Sequence, residues 1–176
     1  QPAGYWQHLN FPARKWQAGQ GDELYRRSLY TFVCRSFPHP AMVAFDAPSR
    51  EECAAERPRS NIPQQALVLL NDPVFVEAAK ALAERLLKEG DKTDAQRLEK
   101  IFALTLTRKP TKQEQTILLE LLAEQRERYK EDEKSALELL STGVKPVDKS
   151  IKPGELAAWT SISRAMLNLY ETTARF

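Results

Sequence analysis

The sequence contains few of the residues that bind metals or anchor haem, with two cysteines and two histidines among 176 residues. Covalent attachment of c-type haem requires the motif Cys-x-x-Cys-His, and neither Cys34 nor Cys53 begins one. A zinc site takes three or four protein ligands, and the only histidines are His8 and His39. His39 lies between two prolines, which restrict the backbone on both sides of it. We therefore expect no metal site, no thiol active site and no cofactor in this chain. A haem would have to bind elsewhere in a larger protein.

Long apolar runs and an excess of one charge are absent too. No run approaches the roughly 18–20 apolar residues that cross a bilayer, so we expect no membrane span. Lysine and arginine number 26 against 24 aspartates and glutamates, which gives a net charge of +2. Charges so nearly balanced produce no long-range field that would attract nucleic acid. We therefore expect no nucleic-acid partner.

The first residues do not look like the start of a complete chain. The segment Gln1-Pro2-Ala3-Gly4-Tyr5-Trp6 has no initiator Met and neither the basic nor the apolar part of a signal peptide. We expect the chain to continue from an upstream region. Residues 1–21 combine aromatic residues with Gly and Pro and show no periodicity, which predicts an irregular N-terminal segment.

Apolar residues recur at helical spacing along most of the remaining chain, and no segment alternates apolar and polar residues over the length of a strand. The sequence therefore predicts an all-α fold. A single irregular helical domain of about six helices is expected over residues 22–176, with a proline-rich extended excursion at residues 37–48. Hydrophobic residues make up 42% and charged residues 28%, as is usual for a globular domain.

The first predicted helix begins at Asp22 and ends near Arg35, before two prolines. Its buried face is predicted to contain Tyr25, Leu29, Phe32 and Val33. A short helix should follow, because Ser49 and Glu52 have the spacing of a capping box. The next helix begins near Pro63, and its run Gln65–Leu70 is apolar nearly all round, which predicts a central position in the core.

Further helices are predicted from Asp72, over residues 94–107, from Thr111 to about Ser141 and from Glu155. Gly90 is expected to follow the first of these as a C-terminal cap, and Thr111 with Glu114 forms a second capping box. Gly143–Gly154 is predicted to be a linker. The inward-facing residues are predicted to be Phe75, Ala78, Ala79, Leu82, Leu86, Leu98, Ile101, Phe102, Thr105, Leu156, Trp159, Ile162, Met166 and Tyr170.

Three long blocks of residues carry a resemblance to a known family. They are Tyr25-Arg26-Arg27-Ser28-Leu29-Tyr30-Thr31-Phe32, Phe45-Asp46-Ala47-Pro48-Ser49-Arg50-Glu51-Glu52-Cys53, and the block from Arg57-Pro58-Arg59-Ser60-Asn61-Ile62-Pro63 to Asp72-Pro73. On these blocks the chain resembles the planctomycete-type (PSD-type) C-terminal domain of unknown function numbered fifteen fifty-three. Shorter matches at residues 107–111, 155–160 and 168–169 extend the resemblance over nearly the whole chain.

The resemblance implies a position at the C-terminal end of large exported proteins, together with a second uncharacterised domain and a cytochrome c-like domain. It therefore implies an extracytoplasmic location, periplasmic or secreted, and partners within the same polypeptide. The family brings no established activity, so no catalytic residue is carried over to this chain.

The stretch from Arg26 to Arg59 is the candidate site. It contains six arginines, whose planar guanidinium groups suit carboxylate, sulfate or phosphate. Six acidic residues lie between Asp22 and Glu56, so internal ion pairs are the competing interpretation. The candidate residues for binding an anion or a glycan are Arg50, Arg57, Arg59 and Asp46. Asp46 with Glu51 or Glu52 would also have the residue types of a glycosidase pair.

The two cysteines are a candidate disulfide. If the protein is exported, a bond between Cys34 and Cys53 would close a loop of about twenty residues and stabilise the fold by roughly 3 kcal/mol. The alternative is two free thiols that behave as small hydrophobic side chains.

Two functions from different classes remain open at this point. The first is a structural or docking helical module, not catalytic on its own, of a larger exported and haem-linked protein. The second is a domain that binds or processes a glycan or another anion through the Arg26–Arg59 region. A buried network of arginines and acidic residues would favour the first function. An open cleft lined by unpaired Arg50, Arg57 or Arg59 with Asp46 would favour the second.

Overall fold

A computed structural model describes residues 19, 21–31, 33, 38–48, 51–53, 55–56, 58–90 and 92–174. All regular elements of these residues are helical, which confirms the predicted all-α class. The α-helices are α1 (Pro40–Ala44), α2 (Pro63–Asn71), α3 (Pro73–Lys88), α4 (Asp94–Thr105), α5 (Lys112–Glu131), α6 (Glu133–Ser141), α7 (Pro153–Leu167) and α8 (Tyr170–Thr173). None of these helices has the length and hydrophobicity that crossing a bilayer requires.

The chain forms two compact units, Gln1–Gln65 and Ala66–Phe176. The predicted irregular segment at residues 1–21 and the predicted single domain over residues 22–176 stay predictions.

In the first unit, the described part of the segment from Asp22 to Arg35 does not form the single helix that was predicted. Two short 3-10 helices, Gly21–Tyr25 and Ser28–Tyr30, take its place. Tyr25 and Leu29, predicted to be buried, are exposed, while Phe32 and Arg35 lie outside the described residues. A helix of this length is marginal in water unless its apolar face packs against a partner, and Tyr25 and Leu29 of the predicted face are not covered.

Two further predictions for the first unit are wrong. Residues 40–44 of the predicted extended excursion form α1, because Pro40 is suited to the first helical position and His39 Nδ1 accepts a hydrogen bond from the N–H of Ala41 at 3.2 Å. Residues 51–53, 55 and 56 are not helical, so no helix follows the predicted capping box. Glu52 is exposed there, and Ser49 lies outside the described residues.

Helix α2 begins at Pro63 as predicted, but it is not central. Leu69 is its only buried residue, and Leu67 is exposed. The central element of the second unit is α7, which packs against α3, α5 and α6. The core consists of side chains from five helices, α3 to α7: Ala83, Leu86, Leu98, Ile101, Phe102, Leu122, Tyr129, Ala136, Leu140, Leu156, Trp159, Ile162 and Met166 among them.

The helix boundaries in the second unit mostly follow local signals. Thr111 and Glu114 form the predicted capping box at the start of α5, and Gly90, with φ +83°, follows the C-cap of α3 as predicted. The predicted long helix from Thr111 is interrupted at Asp132, whose side chain accepts hydrogen bonds from the N–H and the hydroxyl of Ser135 and so begins α6. Tyr170, predicted to be buried, starts α8 and is exposed.

Candidate functional site

The structure places two of the four predicted binding residues. Asp46 Oδ2 accepts a hydrogen bond from the N–H of Ser60 and Oδ1 accepts one from its hydroxyl, each at 2.7 Å. The backbone N–H and then the hydroxyl of Ser60 lower the pKa of Asp46 below its ordinary value. Gln65 completes the contact by donating to the carbonyl and hydroxyl oxygens of Ser60. Asp46 thus joins two of the sequence blocks that carry the family resemblance.

The rest of the predicted site is only partly described. Arg59 is exposed and directly precedes Ser60, while Arg50 and Arg57 lie outside the described residues. Cys53 is exposed. Its predicted disulfide partner Cys34 lies outside the described residues, so the bond stays a prediction, as does the binding site.

The second unit contains a buried charged cluster that the sequence analysis missed. Glu77, Lys80 and Glu84 lie on α3 at intervals of three and four residues, and each is less than 5% exposed. A charge buried without partners costs several kcal/mol. The hydrogen bonds of this cluster therefore decide whether the fold can tolerate it.

Lys80 satisfies all three of its donors on backbone oxygens. Its Nζ donates to the carbonyls of Leu140 at 2.9 Å, Thr142 at 3.1 Å and Lys145 at 3.0 Å. Leu140 belongs to the last turn of α6, whose carbonyls have no partner within the helix. Lys80 therefore acts as a cap for α6 from another helix.

The two glutamates bind N–H groups of the loop that follows α6, whose carbonyls bind Lys80. Glu77 accepts hydrogen bonds from the N–H groups of Val144 at 2.6 Å and Lys145 at 3.2 Å. Glu84 Oε2 accepts from the ammonium of Lys145 at 3.1 Å, while its buried Oε1 has no hydrogen-bond partner among the described residues. The predicted linker after Gly143 is thus fixed to α3 by both its carbonyls and its N–H groups.

A second polar contact joins the starts of α4 and α7 to α5. Arg126 donates two hydrogen bonds to Asp94, at 2.6 and 3.0 Å, and two to Glu155, at 2.9 and 2.5 Å. The hydrogen bonds from Arg126 lower the pKa of Asp94. Glu155 Oε1 also accepts from the indole N–H of the buried Trp159 at 3.0 Å, so this contact reaches the core.

A third polar contact ties the end of the described chain to α5. Arg108 donates two hydrogen bonds to Glu114, at 3.0 and 2.7 Å, and two to Glu171, both at 2.8 Å. Its guanidinium carbon lies 5.2 Å from the centre of the Phe102 ring. The hydrogen bonds from Arg108, and then the N–H of Thr111, lower the pKa of Glu114 to about 2.

These arrangements connect helices and loops of the same chain. Among the described residues no group of three or more His, Cys, Asp or Glu side chains is placed to hold a metal ion. The polar chemistry of the second unit is that of charge-assisted hydrogen bonds within the fold.

Gly143 and Gly90 provide a matched pair that tests the contact of Glu77 with the loop. Both have positive φ, +95° and +83°, but an added Cβ would lie 2.7 Å from two carbon atoms of Glu77 at Gly143 and within 4 Å of nothing at Gly90. Gly90→Ala should lower the free energy of unfolding by about 1 kcal/mol through backbone strain alone. Gly143→Ala should lower it by roughly 1–3 kcal/mol more, because the buried Glu77 must give up its hydrogen bonds to the loop. Equal losses in urea unfolding would contradict this account of Glu77.

The pair between Glu114 and Arg108 predicts a dependence of stability on pH. Since the pKa of Glu114 falls from 4.5 to about 2 on folding, its ionised form stabilises the folded state above pH 4.5. The stability difference between the wild type and Glu114→Gln should therefore narrow as the pH falls towards about 2. Urea unfolding at several pH values measures this difference. Glu120→Gln, an exposed change on the same helix, controls for the lost charge, and a gap independent of pH would contradict the prediction.

Comparison with known proteins identifies a family by sequence. Residues 2–122 match the sequence model of the family described as "PSD1: Protein of unknown function (DUF1553)". No curated protein and no solved structure shows a significant match. The matched residues include Asp46, Ser60, Lys80 and Arg108, whereas α6, α7 and α8 follow them. Since the match covers more than half of the sequence, the chain belongs to this family of proteins of unknown function.

Proposed function

We propose that the chain is a structural or docking helical module of a larger exported, haem-linked protein and is not catalytic on its own. Its partners are other domains of the same polypeptide, an uncharacterised domain and a cytochrome c-like domain, and its location is extracytoplasmic. Family membership supports a multidomain context through the resemblance described above. The contacts of the described residues support the structural role.

The observation that carries the docking proposal is the exposure of apolar side chains in the first unit. None of the described residues before Ala66 is buried. Leu29 is 81% exposed, and its neighbours Tyr25 and Tyr30 are 52% and 66% exposed. Tyrosines and large apolar residues grouped on a surface are typical of a protein interface. We define residues 25–30 as the docking segment.

The second unit supports the structural part of the proposal. Its buried charges Glu77 and Lys80 bond to the backbone of the chain itself. Arg108 and Arg126 each join two carboxylates from different parts of the sequence. Such groups hold a scaffold in one arrangement, which is what a rigid docking module requires.

The docking segment is tested by measuring binding of this chain to the remaining domains of its polypeptide, produced separately. Leu29→Asp with Tyr30→Asp should weaken binding by at least about tenfold, because charges replace apolar side chains that become desolvated in the complex. Ile117→Asp is the matched control, since Ile117 is 54% exposed on α5 of the second unit. Titration calorimetry provides the affinities. Equal affinities for the two variants, or no binding by the wild type, would contradict the proposal.

The contact of Asp46 with Ser60 favours a second candidate function, the binding of an anion or a glycan. Its two hydrogen bonds hold Ser60, the residue after Arg59, on the carboxylate of Asp46. A guanidinium such as that of Arg59 is suited to the sulfate and carboxylate groups of an acidic sugar, and a carboxylate is suited to its hydroxyl groups. The candidate binding residues remain Arg50, Arg57, Arg59 and Asp46.

Thermal unfolding with sulfated and uronic-acid oligosaccharides tests this second function. If the site binds them, the wild type should melt at a higher temperature in their presence, by an amount that rises with the ligand concentration. Arg59→Ala should abolish the increase. Arg85→Ala, which changes an exposed arginine on α3, should retain it. The absence of any increase in the wild type, or its loss in both variants, would refute the anion site.

A further inference from the structure

The ammonium of Lys80 has the surroundings of a bound cation. Its three hydrogen bonds, at 2.9, 3.1 and 3.0 Å, go to carbonyl oxygens of residues 140, 142 and 145. An ammonium group of lysine has three N–H donors and no acceptor, and each of these lengths is normal for a donor of this kind. The ring of three carbonyls therefore matches the donors of one primary ammonium ion completely.

The local field also favours a cation at this position. The last turn of α6 presents carbonyls that have no partner within the helix, together with the negative end of the helix dipole. Glu77 and Glu84 lie on α3 about one turn to either side of Lys80, and both are buried. Lys80 itself is 1% exposed, so its ammonium group is shielded from water.

Several bonds that do not involve the side chain of Lys80 hold these carbonyls in place. Glu77 accepts from the N–H groups of Val144 and Lys145, and the N–H of Thr142 donates to the carbonyl of Leu139 at 3.3 Å. Lys145 is held a second time by its ammonium on Glu84. The carbonyl ring is therefore organised by its own surroundings as well as by the cation inside it.

We propose that this ring is a binding site for a primary ammonium ion, which the wild-type chain fills with its own Lys80. The butyl stem of Lys80 is then a tether, and the recognition lies in the three carbonyls and the neighbouring carboxylates. When the side chain is shortened, a free primary alkylammonium of matching length takes the same position. The site distinguishes its ligand by N–H donors, so a quaternary ammonium of similar charge does not bind.

The test uses Lys80→Ala and n-propylammonium, which replaces the atoms that the substitution removes. Once the ligand concentration exceeds its dissociation constant, each tenfold increase should lower the unfolding equilibrium constant of the variant about tenfold. Tetramethylammonium, sodium and potassium chlorides at equal ionic strength should not do so. Urea unfolding followed by circular dichroism measures the constant. The wild type, whose site is filled, should show no difference between the salts.

Lys80→Met is the second variant, because its unbranched side chain fills the path of the tether without the charge. It should not gain stability from n-propylammonium beyond the effect of the other salts. If Lys80→Ala does not fold in plain buffer, recovery of its helical signal on refolding in n-propylammonium, and in none of the other salts, supports the site. Equal effects of all salts, an equal gain in Lys80→Met, or no gain in Lys80→Ala under any condition would overturn the proposal.

Discussion

The second unit depends on the hydrogen bonds of one buried ammonium group. Removing a lysine from water costs several kcal/mol unless all its donors find acceptors, and Lys80 finds three within the segment from Leu140 to Lys145. The same bonds satisfy the end of α6 and fix the loop that leads into α7. Helix α7 lies at the centre of the core. The ammonium of Lys80 on α3 therefore helps to position this helix, because it holds the loop that precedes it.

The arginine contacts extend this arrangement to the other helices. Arg126 holds the start of α7 through Glu155, and Glu155 in turn accepts from the core residue Trp159. The family match ends at residue 122, before Arg126 and before the carbonyl partners of Lys80. The family match thus ends within the second unit, before its central helix. A fragment ending there would leave Lys80 without its acceptors and the core without α7.

The predictions that succeeded depend on short-range chemistry. The capping box at Thr111 involves residues three apart, and its interactions are readable from the sequence. The helix predicted through Leu29 failed because helical periodicity forms a helix only when another surface covers the apolar face. Lys80 was missed for a related reason: a lysine on a helix usually points to solvent, and its acceptors lie 60 or more residues away. In the candidate site, Asp46 was predicted from the sequence but its hydrogen-bond partner Ser60 was not. Ser60 lies 14 residues further along the chain, and whether it reaches Asp46 depends on the path of the residues between them.

The distance in sequence between α3 and its loop has a consequence for synthesis on the ribosome. Lys80 emerges some sixty residues before the carbonyls that receive it. Until residue 145 has left the exit tunnel, this face of α3 keeps its charges hydrated and cannot join a dry core. Contacts so far apart in the chain form late and slowly. This face of the nascent α3 therefore stays hydrated until the loop has emerged, and the second unit is complete only once α7 has followed the loop.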